Sequence, residues 1–129
     1  MIMKSPRPAL RIFDNKLAKS FYLDWLAFRV NWEHHPEDGE PSIIKISRDE
    51  ATLCLSEHYG DGLPGAKVFI EVDDIDALHR ELTDRKNSYM KPGIETMDWG
   101  RTLTVTDPFG NKLVFVHSET STDEEGRRM

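Results

Sequence analysis

Apolar positions fall into one programme that runs twice along the chain. Residues 9–13 alternate, with Leu10 and Ile12 on one face and Arg7, Ala9 and Arg11 on the other, which predicts a short strand. Asp14 stands where a helix N-cap belongs. Leu17, Ala18, Phe21, Tyr22 and Trp25 then recur at i, i+1, i+4, i+5 and i+8, the stripe of an amphipathic helix. Residues 28–33 read as a strand carrying Val30 and Trp32 on one side. A polar loop over 34–41, with Pro36, Gly39 and Pro41, separates it from strands at 43–47 and 51–56, joined by a tight turn at 48–50.

Residues 58–66 hold Gly60, Gly62, Pro64 and Gly65 and read as a linker, after which the programme restarts. Residues 67–72 alternate as a strand, Asp73-Asp74 offers a cap, and Ile75, Leu78 and Leu82 mark a helix face. Residues 87–97, interrupted by Pro92-Gly93, read as an edge or bulged strand. Two alternating segments, 101–106 and 112–116, flank Asp107-Pro108-Phe109-Gly110-Asn111. There Pro presets φ, Gly supplies a left-handed residue, and Asp and Asn bond the local backbone, so a hairpin is expected.

Adding 60 carries Leu10 to Ile70, Ile12 to Val72, Asp14 to Asp74, Leu53 to Leu113 and Leu55 to Phe115. Ile44, however, falls opposite Thr104, so a bulge or slip is expected in one of the third strands. The fold class expected is α+β, two tandem βαβββ modules at about 8–57 and 66–117. They form one domain over 1–118, with a disordered polar tail over 119–129.

Composition narrows the function classes. A chain of 129 residues, 38% hydrophobic and 31% charged, suits one ordinary globular domain with a core of its own. A net charge of −6 argues against nucleic acid as a partner, and no apolar run is long enough for a membrane span or signal peptide. The single cysteine, Cys54, excludes an intrachain disulfide and points to a reducing, cytoplasmic setting.

Two βαβββ units, the FYLDWLAF segment at 21–28, Val72-Asp73-Asp74, the Trp99-Gly100-Arg101 strand and the Asp-Pro-x-Gly-Asn hairpin together resemble the vicinal oxygen chelate superfamily. This is the glyoxalase I, extradiol dioxygenase and bleomycin resistance group, and the likeness is greatest to its bleomycin resistance branch. It implies a curved mixed sheet and a homodimer with ligands held in crevices between subunits. In the enzymes of this group a divalent metal is bound from the first and fourth strands of each unit. The resemblance carries those positions to about Arg7, Cys54, Lys67 and Val114. Two are cationic and one is aliphatic, where imidazole or carboxylate belongs. A divalent ion ~4 Å from Lys67 would meet about 8 kcal/mol of repulsion at an effective dielectric near 20.

The residues therefore give no metal site, no cofactor and no catalytic set. Nor is there a Ser/His/Asp spacing, a phosphate-cradling glycine loop or a zinc-type cysteine pair. His34-His35 reads as solvated loop, His79 as exposed helix surface and His117 as an edge residue. By alternation, Arg11, Thr52, Cys54, Phe69, Glu71, Val114 and Val116 face a ligand cup. The resemblance implies a non-catalytic protein that sequesters a planar, cationic, bleomycin-like drug, as in antibiotic resistance. An unknown metabolite is the other ligand, and a metal-dependent lyase or dioxygenase is the alternative function. The expected binding residues are Trp99 and Trp32 as stacking platforms, with Phe69, Glu57 and Arg101. Glu33 and Asp98 join Glu57 by sign alone as partners for a cationic tail.

Overall fold

The computed structural model describes residues 1–34, 41–85 and 90–118. His35 and the rest of the expected loop to Glu40, the start of the expected 87–97 strand and the 119–129 tail lie outside the described residues. The chain divides into two compact units, each a βαβββ module. The first comprises Met1–Ala66 together with Thr106–Asn111, and the second Lys67–Val105 with the chain from Lys112 onward.

In the first unit β1 (Ala9–Arg11) leads to α1 (Asn15–Lys19), which continues as a π-helical turn over Ser20–Trp25. Asp14 caps α1 by accepting from the Leu17 amide at 3.0 Å. The widened turn closes with Leu26 N–H donating to the Phe21 carbonyl. The expected stripe faces inward at Ala18, Phe21, Tyr22 and Trp25, all fully buried, whereas Leu17 is exposed. Phe21 sits edge-on to Tyr22 at 5.0 Å and tilted to Trp25 at 5.3 Å, the packing large rings favour. β2 (Arg29–His34), β3 (Ile43–Arg48) and β4 (Ala51–Ser56) complete a sheet of order β1-β4-β3-β2.

The second unit repeats this with β5 (Lys67–Glu71), α2 (Ile75–Asp84), β6 (Ile94–Met97), β7 (Gly100–Thr106) and β8 (Lys112–Ser118), in the order β5-β8-β7-β6. Asp74 caps α2 through the Ala77 amide, as Asp14 caps α1. The parallel pairs keep one register across the 60-residue offset. Ala9↔Cys54 and Leu10↔Leu55 become Phe69↔Val114 and Ile70↔Phe115. His117, expected at an edge, lies in an inner strand, with Nδ1 3.2 Å from the Val72 carbonyl.

The expected slip between the third strands is present, and a further irregularity lies in the second strand of the first unit. β2 shifts register between Val30 and Trp32, so Val30 pairs with Ile46 and Trp32 with Lys45. Directly opposed residues share a face and neighbours along a strand alternate. Val30 therefore joins the face of buried Ile46, and Trp32 the opposite one, not the common side expected. The third strands also differ by one residue in phase: β3 buries Ile44 and Ile46, and β7 buries Leu103 and Val105.

Candidate functional site

Each sheet has a helix side and an open side, and register decides which residue goes where. In the first unit the helix side carries Leu10, Ile44, Ile46, Leu53 and Leu55, each 1% exposed or less. The open side carries two cross-strand rows. One runs Ala9–Cys54–Lys45–Trp32 and the other Arg11–Ser56–Ile43–His34. Arg29, opposite Ser47, follows on the same face. Trp32 is 44% exposed there, as a stacking platform requires.

Glu57 and Glu33 are not with it. Glu57 accepts from the amide and the hydroxyl of Ser42, both at 2.9 Å, and Ser42 in turn accepts from Asn15 at the start of α1. Glu33 pairs with Lys19 at 2.8 Å and accepts from Asn15 at 3.1 Å. Both carboxylates therefore hold strands to the helix, on the side away from Trp32.

In the second unit Phe69, opposite Val114, is 61% exposed on the open side. Trp99, 53% exposed, occupies with Asp98 the two-residue turn joining β6 to β7. The neighbouring glycine is what fixes this turn. Gly100 has φ +150, and a Cβ there would lie 2.6 Å from the His117 carbonyl oxygen. Arg101 points the other way. Its two terminal nitrogens grip Asp76 of α2 at 3.1 and 2.9 Å, a bidentate pair that holds the Asp76 carboxyl below its usual range. Of the expected cup residues, Thr52, Cys54 and Arg11 are half-buried and Glu71 is exposed. Val114 and Val116, at 5% exposure, are buried.

The donor set does not fit a divalent metal. Val114 offers no lone pair, and the Lys67 ammonium lies 5.9 Å over the Phe69 ring. Burial pushes the Cys54 thiol up, only partly offset by the Arg7 charge, so the thiolate a metal needs is disfavoured. Among the described residues no group of three or more histidine, cysteine, aspartate or glutamate side chains comes together. No helix among them is long and apolar enough to cross a membrane.

Arg29 and Lys45 were missed in the sequence, and so was the stacking of Arg11 on Phe13 and Tyr59. Arg29 shares the face of Trp32 only because of the bulge, a feature alternation does not announce.

Several solved structures share this architecture. An antibiotic binding protein, TnmS3, from Streptomyces sp. CB03234 is 20% identical over 92% of this chain and 100% of its own, with a TM-score of 0.67. The bleomycin-binding protein of Streptomyces verticillus, solved with copper(II)-bleomycin, is 26% identical over 92% of this chain and 99% of its own, also at 0.67. A glyoxylase/bleomycin resistance protein/dioxygenase domain from Frankia sp. EAN1pec reaches 0.73 at 15% identity, over 92% of this chain and 100% of its own. No curated protein matches the chain. A family model described as glyoxalase superfamily protein matches residues 1–122. With the repeated capped βαβββ module and nearly the whole chain matched, the protein belongs to the glyoxalase superfamily.

Proposed function

We propose that this protein binds and sequesters a flat, drug-like small molecule without transforming it. The observation that carries the reading is the pair of exposed indoles, Trp32 on the open face of β2 and Trp99 at the β6–β7 turn, with exposed Phe69. Exposed rings on rigid strands are costly to leave in water and well suited to stacking. The bleomycin-binding neighbour, at 26% identity, supports the same class of ligand. The lack of fit to a metal supports the absence of turnover. Of the three acidic residues expected to meet a cationic tail, Glu33 and Glu57 are engaged with Lys19, Asn15 and Ser42, and only Asp98 shares a turn with a tryptophan, so the ligand proposed is flat without a required cationic tail.

Two further elements belong to this reading. The protein is a homodimer, with a second copy completing the crevices, and it works in the cytoplasm. The edge strands β2 and β6 give a partner unpaired backbone to cover. The test is calorimetric titration with bleomycin, alongside light scattering at micromolar protein. Saturable binding by a dimer supports the reading; a strict monomer refutes the crevice, and no binding by this or any flat-ring probe refutes the function.

A further inference from the structure

The open face of the first sheet is positively charged on a chain whose net charge is −6. Its strand positions present Arg11, Arg29 and Lys45, and no aspartate or glutamate. Arg7 adds to it, close enough for its charge to act on the Cys54 thiol. Among the described residues one carboxylate is seen to reach this face, that of Asp61, which accepts from the Ser56 hydroxyl at 2.8 Å. Among the described residues none of the four bases lies within ion-pair distance of it or of any other carboxylate.

Arg11 is the best prepared of these cations. Its guanidinium carbon lies 4.8 Å from the Phe13 ring centroid and 5.6 Å from that of Tyr59. Phe13 is backed by Phe109 at 6.0 Å. The Arg11 carbonyl accepts from the Asn111 side chain at 2.8 Å, which fixes the backbone beneath it. The loop bearing Tyr59 is pressed against β1, where a Cβ on Gly62 would meet the Ala9 carbonyl oxygen at 2.8 Å. Backbone and side chain are thus both held, while the two terminal nitrogens make no hydrogen bond or ion pair among the described residues. A planar, oriented donor fork with nothing to hold matches an oxyanion. Strands are spaced by ~4.8 Å and rise ~3.3 Å per residue, so Arg11 on β1 and Trp32 on β2, three strands and one row apart, stand about 16 Å apart across one face, the span of a multi-ring ligand.

We propose that this face recognises an oxyanion, a carboxylate or a phosphate, carried by the flat ligand, with Arg11 as its anchor and Lys45 and Arg29 supporting it. The proposal rests on the reading that the protein takes a flat small molecule, and adds the sign of that molecule's charge.

Calorimetric titration of the full chain with four matched probes tests it: 2-naphthoate, 2-naphthyl phosphate, 2-naphthalenemethanol and 2-naphthylmethylammonium. The two anions are expected to bind at least tenfold tighter than the ammonium, by a margin that narrows as salt is raised. Arg11→Gln is expected to weaken the anions about tenfold and leave the alcohol within twofold. The stronger of the two anions names the group. Should Arg11→Gln melt out, Lys45→Gln takes its place, with a loss of about threefold confined to the anions. An ammonium that binds as well as the anions, or a variant that weakens all four probes equally, overturns the charge assignment alone. Binding by none of the four overturns the flat-ligand reading, and the assignment with it.

Discussion

The Tyr22 hydroxyl donates a 2.6 Å hydrogen bond to Oδ2 of Asp107, a buried carboxylate 85 residues further along the chain. Asp107 Oδ1 accepts from the amides of Phe109 and Asn111, both at 2.8 Å, and the Asn111 side chain donates to Oδ2 at 2.9 Å. Asn111 also receives the Ala66 amide and donates to the Arg11 carbonyl. The Asp-Pro-x-Gly-Asn turn is therefore a polar clasp inside the first unit, with every member satisfied. Tyr22→Phe should lower stability by about 1.5–3 kcal/mol, because it takes one donor from a buried charge. Urea unfolding measures it; a change within ~0.5 kcal/mol would show that the clasp is closed by water.

The same contact sets an alkaline limit. Burial, then the charge of Asp107 and its hydrogen bond, raise the Tyr22 pKa far above its ordinary 10.0. The folded-state value lies above the unfolded one, so this stabilisation is complete below pH ~10 and is lost as pH rises beyond it, where only the unfolded phenol ionises. Wild-type protein should lose stability more steeply than Tyr22→Phe above pH ~10. Parallel pH profiles would contradict this.

Much of the fold was legible. Asp14 and Asp74 cap their helices as residue type and position indicated, and the offset of 60 reappears as a shared register in β1–β4 and β5–β8. Both caps and parallel registers are local or periodic, which is what a sequence displays. The Tyr22–Asp107 clasp was not legible, since it joins groups far apart in the chain. Nor were the engagements of Glu57 with Ser42 and Arg101 with Asp76, because alternation gives a face and not a partner. The bulge at Val30–Trp32 hid the charge of the open face by turning Arg29 toward Trp32.

Gly100 tests the turn that aims Trp99. Gly100→Ala places a Cβ 2.6 Å from a backbone oxygen at φ +150, so strain of about 1–3 kcal/mol is expected, beyond the repair of any side-chain movement. Gly93→Ala, with nothing within 4 Å of its Cβ, serves as the control and should be near neutral. Equal melting temperatures for the two variants would refute the close approach.

The tryptophans should separate by role. Trp25 is fully buried, and Trp25→Ala should cost about 3–5 kcal/mol of stability. Trp99→Ala and Trp32→Ala should fold nearly as well as wild type but bind a flat ligand about tenfold more weakly, with Trp99→Phe between. Unchanged affinity with a collapsed melting temperature in Trp99→Ala would make that residue core.

The central claim is binding without chemistry. Its most direct measurement is to titrate the purified protein with 2-naphthoate and 2-naphthyl phosphate, with and without a chelator, and analyse the recovered probe by mass spectrometry. The account predicts saturable binding of at least one of them, the same affinity with chelator present, and a probe recovered unchanged in mass. A metal-dependent change in the recovered compound, abolished by chelator and restored by one divalent ion per chain, would contradict it.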